Sequence, residues 1–145
     1  MLKHLCAPLA LLALAAAGCG DSGPSKQEFI ADLNAVCKKT NEKLQEVDNP
    51  QSRKQVPRVV REARPIVNES IRDVEKLELP DEDRKKFEDF ISESKESLAA
   101  FDELKQAAEQ NNGPELQRIV EKLAVKAEKR DVQAKKLGLS ECGGG

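Results

Sequence analysis

Three short breaks divide the chain after residue 24 into four segments of similar length: Asp48-Asn49-Pro50, Leu79-Pro80-Asp81-Glu82-Asp83 and Asn111-Asn112-Gly113-Pro114. Between the breaks, apolar residues recur every three to four positions, the period of one helix face. The first segment carries Phe29, Leu33, Val36, Cys37, Thr40, Leu44 and Val47; the second carries Val56, Val59, Val60, Ala63, Val67, Ile71 and Val74. The third carries Phe87, Phe90, Ile91, Leu98, Phe101, Leu104 and Ala108; the fourth carries Leu116, Ile119, Val120, Leu123, Ala127 and Ala134. No segment alternates apolar and polar residues as a half-buried strand does. Four amphipathic helices with short links predict an all-α protein, an antiparallel up-and-down four-helix bundle over residues 25–142.

Local signals set the helix ends. Ser25-x-x-Glu28 is a capping box, in which each residue satisfies an orphan amide of the other. The second helix lies within Ser52 to Leu77, with Pro57 suited to its first turn. Pro65 falls inside the pattern and predicts a kink, or else two shorter helices. Asp81, Glu82 and Asp83 read as a helix start, with acidic charge at the positive end of the dipole. Gly138 is placed for a left-handed C′ position, from which Leu139 folds back on the last turn of the fourth helix.

The start of the chain reads as an export signal. Lys3 and His4 form a short positive region, and Leu5 to Ala17 is apolar but too short to span a bilayer. Ala16-Ala17-Gly18-Cys19 then fits a bacterial lipobox. Small residues let the chain lie extended in a peptidase groove, and the Cys19 thiol takes a diacylglyceryl group. The expectation is cleavage between Gly18 and Cys19, loss of residues 1–18, and a lipidated cysteine on a tether over residues 19–24. Such a tether reaches about 20 Å when extended. The protein would therefore sit on the extracytoplasmic face of a cell membrane. The alternatives are a secretory signal cut near Ala17 and a retained N-terminal anchor.

Counting cysteines follows from that placement. Of four, Cys6 leaves with the signal and Cys19 is lipidated, so Cys37 and Cys142 remain as an even pair in a disulfide-permissive compartment. A Cys37–Cys142 disulfide is expected. In an up-and-down bundle the end of the fourth helix returns near the start of the first, which brings the two cysteines together. The alternatives are two unrelated thiols, or metal ligands, for which two cysteines without histidine make a poor zinc site. Residues 143–145 are three glycines, expected to form a flexible tail.

Chemistry is scarce. The only histidine is His4, in the signal segment, so the mature chain lacks imidazole for triads, zinc enzymes or di-iron bundles. Asp81, Glu82 and Asp83 lack the spacing and glycine of a calcium loop. No phosphate-binding glycine loop is present. Asn68-Glu69-Ser70 matches a glycosylation sequon, which reads as chance in a bacterial helix. No metal, cofactor or catalytic residue is therefore expected. The 24 basic and 26 acidic residues nearly balance, which argues against nucleic acid as a partner. One cluster stands out: Arg53, Lys54, Arg58, Arg61 and Arg64 crowd the first half of the second helix. It is a candidate patch for an anionic polymer, a phosphate or an acidic envelope protein; the alternative is a solvated face paired with neighbouring helices.

Three stretches, "SKQEFIADLNAVC", "VVREARPIV" and "KLGLSEC", resemble small exported lipoproteins of bacteria, especially of high-GC Gram-positive type. These share a first-helix cysteine and a terminal Leu-Gly-Leu-x-x-Cys. The resemblance covers most of the mature chain. It implies an envelope lipoprotein and transfers no catalytic residue. The function expected is a non-enzymatic binding, scaffolding or accessory module anchored to the membrane. The alternative is a carrier that holds a small apolar or anionic ligand within the bundle.

Overall fold

The computed structural model describes residues 23–143. The lipobox and Cys19, along with Gly144 and Gly145, lie outside the described residues. Within them the chain forms α1 (Lys26–Gln45), α2 (Val56–Glu75), α3 (Arg84–Glu109) and α4 (Gly113–Leu137), with a single 3₁₀ turn, Arg53–Gln55, leading into α2. No strand occurs among the described residues. The helices pack in chain order, α1 on α2, α2 on α3 and α3 on α4. This is the all-α four-helix bundle that the apolar spacing predicts.

The helix ends follow local chemistry where side chains reach their own backbone. Glu28 N–H donates to Ser25 Oγ at 3.2 Å, and Ser25 N–H donates to Glu28 Oε2 at 2.9 Å, which completes the capping box. Pro57 sits in the first turn of α2, and α2 continues as one helix through Pro65. The two-helix alternative therefore does not hold. Proline removes the amide that would bond the Arg61 carbonyl, but both residues are exposed, so water can take that acceptor. At the end of α4, Gly138 has φ 78° and the Leu139 N–H donates to Ala134 O at 2.9 Å, closing the helix as expected.

One expectation holds in a different form and one fails. α3 starts directly after Asp81, Glu82 and Asp83, as expected, but begins at Arg84 and has no acidic residue within its first turn. Asp83 is instead the N-cap residue, in the left-handed region at φ 61°. Lys26 Nζ reaches Asp83 Oδ2 at 2.7 Å and Glu82 Oε1 at 2.9 Å, and Lys86 Nζ reaches Asp83 Oδ1 at 2.6 Å. These acids serve α1–α3 contacts before they serve the dipole. Val120, placed on the apolar stripe of α4, is 48% exposed, because Leu116 and Ile119 point the helix inward on a neighbouring line.

The core is in two parts. Phe29, Leu33, Phe87, Phe90, Ala134, Leu137 and Leu139 form the first, at the end where α1 begins and α4 finishes. Within it the rings of Phe29 and Phe87 meet edge to face, with centroids 4.8 Å apart. Ala107, Ala108, Leu116 and Ile119 form the second, near the α3–α4 turn, with Val56, Leu104 and Leu123 packed against it. The stripe residues between the two parts, among them Leu44, Val67, Ile71 and Phe101, are only half-buried.

Candidate functional site

The division of the core has a cause. α1 packs on α2 and α4 packs on α3, but α1 and α4 do not pack on each other as neighbouring helices. They meet around the first core cluster, where Ala134 and Leu137 share a core with Phe29 and Leu33, and through the segment that follows α4. Asn34 Oδ1 accepts from Glu141 N–H at 3.0 Å, and Asn41 Nδ2 donates to Glu141 O at 2.8 Å. Cys37 and Cys142 are bonded, with their Cα atoms 5.0 Å apart, and both are buried. The disulfide expected from cysteine arithmetic thus holds the tail across the gap between the outer helices.

Beyond the tail the gap is an open groove of about 350 Å³. α1 lines it with Leu33, Cys37, Thr40, Asn41 and Leu44; α2 forms its floor with Val67, Ser70, Ile71 and Val74. α3 adds Phe90, Ile91, Ser94 and Phe101, and α4 adds Leu123, Lys126, Ala127 and Arg130. Several of the polar groups in this wall are turned into their own helices. Thr40 Oγ1 donates to Val36 O at 2.8 Å and Ser94 Oγ donates to Phe90 O at 3.0 Å. Such i−4 back-bonding satisfies the hydroxyl and presents carbon to the groove.

Arg130 is the exception. Its guanidinium carbon lies 5.4 Å from the centroid of the Phe90 ring, and its Nε is buried with no hydrogen-bond partner. One turn on, Gln133 Oε1 is also buried without a partner. On its other side Arg130 borders a small crevice shared with Glu93, Glu96, Lys126 and Lys129. There Glu93 Oε1 accepts from Lys129 Nζ at 3.0 Å, and Glu96 Oε2 lies 3.5 Å from Lys126 Nζ. Burial pushes the Arg130 guanidinium below its ordinary value, against the pull of Asp131.

The arginine cluster on α2 does not converge on one site. Arg58 pairs with Glu62 at 2.9 Å and lies 3.9 Å from Asp48. Arg64 makes a two-pronged bond to Asp102, at 2.6 and 3.1 Å. Arg53 lies over Gly113, so close that a Cβ there would collide with its Nη1. Lys54 is exposed. Only Arg61 and Arg64 line a common depression, an open one of about 390 Å³, joined by Arg72 and Lys105. The other end of α2 is tied to α1: Lys39 and Lys43 bind Glu69 at 3.0 and 2.6 Å, and Lys39 also reaches Asp73 at 3.3 Å.

Sequence reading paired Cys37 with Cys142 and allowed a ligand within the bundle, but named no groove and no residue lining one. One signal was available. Leu123, Ala127, Arg130 and Ala134 follow helical spacing, and Arg130 stands where the stripe calls for an apolar residue. Among the described residues, no three His, Cys, Asp or Glu side chains are grouped to hold a metal, and no helix is long and apolar enough to cross a membrane. No protein-family model, curated protein or solved structure matches this chain.

Proposed function

We propose that this protein is a lipid-anchored lipoprotein of the cell envelope whose helical domain binds a small ligand between its outer helices, without chemistry of its own. The observation that carries the reading is the groove between α1 and α4, lined mainly by Val, Ile, Leu and Phe side chains, most of them only half-buried. A bundle built only for stability would close that seam, because each stripe residue left half-buried forgoes part of the roughly 1.5–3 kcal/mol of full burial. The groove also falls within the range of small-molecule sites, on the order of 300–1,000 Å³. Of the two functions open to the sequence, this favours the carrier over a scaffold with a filled core. The lipobox at Ala16 to Cys19 supports the anchor, and the short tether of residues 19–24 supports a position close to the extracytoplasmic surface of the membrane.

The depression at Arg61, Arg64, Arg72 and Lys105 favours a second role, contact with an acidic envelope protein or anionic polymer, because Arg61 and Arg72 have no ion-pair partner among the described residues. The carrier reading is tested on protein extracted from its native envelope. Native mass spectrometry should show a fraction carrying an added small-molecule mass, and substituting Ala127→Trp should remove it by filling the groove. Apoprotein alone in gentle extracts, with no apolar dye bound by the purified protein, would overturn the reading. In parallel, Cys19→Ala should move the protein out of the membrane fraction; retention there without acylation would sink the anchor.

A further inference from the structure

The charge on the groove wall is of one sign. Two charged side chains line it, Lys126 and Arg130, and both are cations; no carboxylate faces it. They lie one turn apart on α4, so the charge is confined to one wall, while α1, α2 and α3 present mainly carbon, with Asn41 and Ser70 as neutral polar exceptions. Lys126 has a loose partner in Glu96 at 3.5 Å. Arg130 makes no hydrogen bond or close ion pair among the described residues: its Nε is buried and unbonded, its guanidinium lies over Phe90, and Asp131 and the Glu93–Glu96 crevice act on it without bonding it. A buried donor without an acceptor is costly to keep, by about 1–3 kcal/mol and more when charged. An anion in the groove would meet the terminal nitrogens of the guanidinium, which make no hydrogen bond among the described residues, and would offset the cost of a half-buried cation.

We infer that the occupant of the groove is a single-chain amphiphilic anion, a fatty-acid-like molecule whose carboxylate or phosphate meets Arg130 and Lys126 and whose hydrocarbon chain lies along the apolar floor. This rests on the carrier reading and adds the ligand class. The volume is consistent with it. A methylene takes about as much space as a water molecule, ~30 Å³, so a groove of about 350 Å³ holds a chain of about a dozen carbons.

The test uses the exported chain carrying Cys19→Ala, which removes any acyl group of the protein's own from competition. Dodecanoate, dodecanol and dodecyltrimethylammonium, each below its micelle concentration, are titrated as competitors of an apolar fluorescent probe. The anion should bind best, the alcohol on the order of tenfold or more weaker, and the cation weakest, since a hydrogen bond to a charged group is worth about 1.5–3 kcal/mol. Arg130→Gln should bring dodecanoate down to the affinity of dodecanol and leave dodecanol unchanged. The wild-type series stands by itself if that variant fails to fold. Equal binding of all three would overturn the anion inference and leave the carrier standing. Failure of all three, and of the probe, would overturn both.

Discussion

At the scale of single residues, the described part of the molecule is held by carboxylates and lysines that have found each other between helices. Hydrogen bonds from Lys26 and Lys86 hold Asp83 below the usual carboxylate range, and those from Lys43 and Lys39 do the same for Glu69. The same bonds raise Lys26 and Lys39 above the ordinary lysine value. The signs give the pH window. A carboxylate depressed in the folded state adds stability above its unfolded value, near ~4, and loses it as pH falls through the lower folded value. A lysine raised in the folded state adds stability below its unfolded value, near ~10.4, and loses it as pH rises through the higher folded one. The only histidine is His4, so no imidazole among residues 23–143 titrates between those limits. The melting temperature should therefore be nearly flat from about pH 5.5 to 9 and fall on either side. The pairs are exposed, so the falls should be shallow and should shrink in high salt. Thermal melts across pH check this, and a sharp transition near pH 6.5 would contradict it.

At the scale of elements, the finish of α4 carries more than its length suggests. Leu139 is buried to 1% exposure in the first core cluster, beside Phe29 and Leu137, although it lies outside the helix. Leu139→Ala should cost about 2–5 kcal/mol in a chemical denaturation curve, as for other fully buried leucines. Gly138→Ala, at φ 78°, should cost about 1 kcal/mol because only the backbone turn is affected. A Leu139 variant no worse than the glycine variant would show that the tail does not dock. These two residues were legible in the sequence, as was the Ser25 box, because a cap is a bargain between side chain and backbone a few positions apart. The role of Asp83 at the start of α3 was not legible: it is bound by Lys26, 57 positions away, and no local rule contains that partner. The groove was hidden for the same kind of reason. Each stripe reads as buried when taken alone, and only the pairing of helices decides that α1 and α4 leave one another's faces bare. The α2 arginines read as one patch because they are neighbours in sequence; Asp102, Glu62 and Gly113 draw three of them apart.

At the scale of the whole molecule, the chain has two small cores and one covalent bond that spans 105 positions. Without extended α1–α4 packing, α1 is held by α2, by the Phe29 and Lys26 contacts to α3 at its start, and by the tail. The Cys37–Cys142 bond makes the attachment to the tail permanent, and both cysteines also form one end of the groove. Replacing both with alanine should lower stability by about 2–5 kcal/mol, mainly by freeing the unfolded chain, since a loop of this length gains the most entropy when cut. Secondary structure should change little, because each helix keeps its neighbour in chain order and its caps. Binding in the groove should weaken more than the loss of stability requires when measured well below the melting temperature, because α1 is then free to move away from the tail. Urea titrations followed by circular dichroism, paired with probe binding at low temperature, separate the two effects. A variant that loses stability yet binds as the parent does would show that α2 alone fixes the groove wall, and that the disulfide acts on the unfolded chain only.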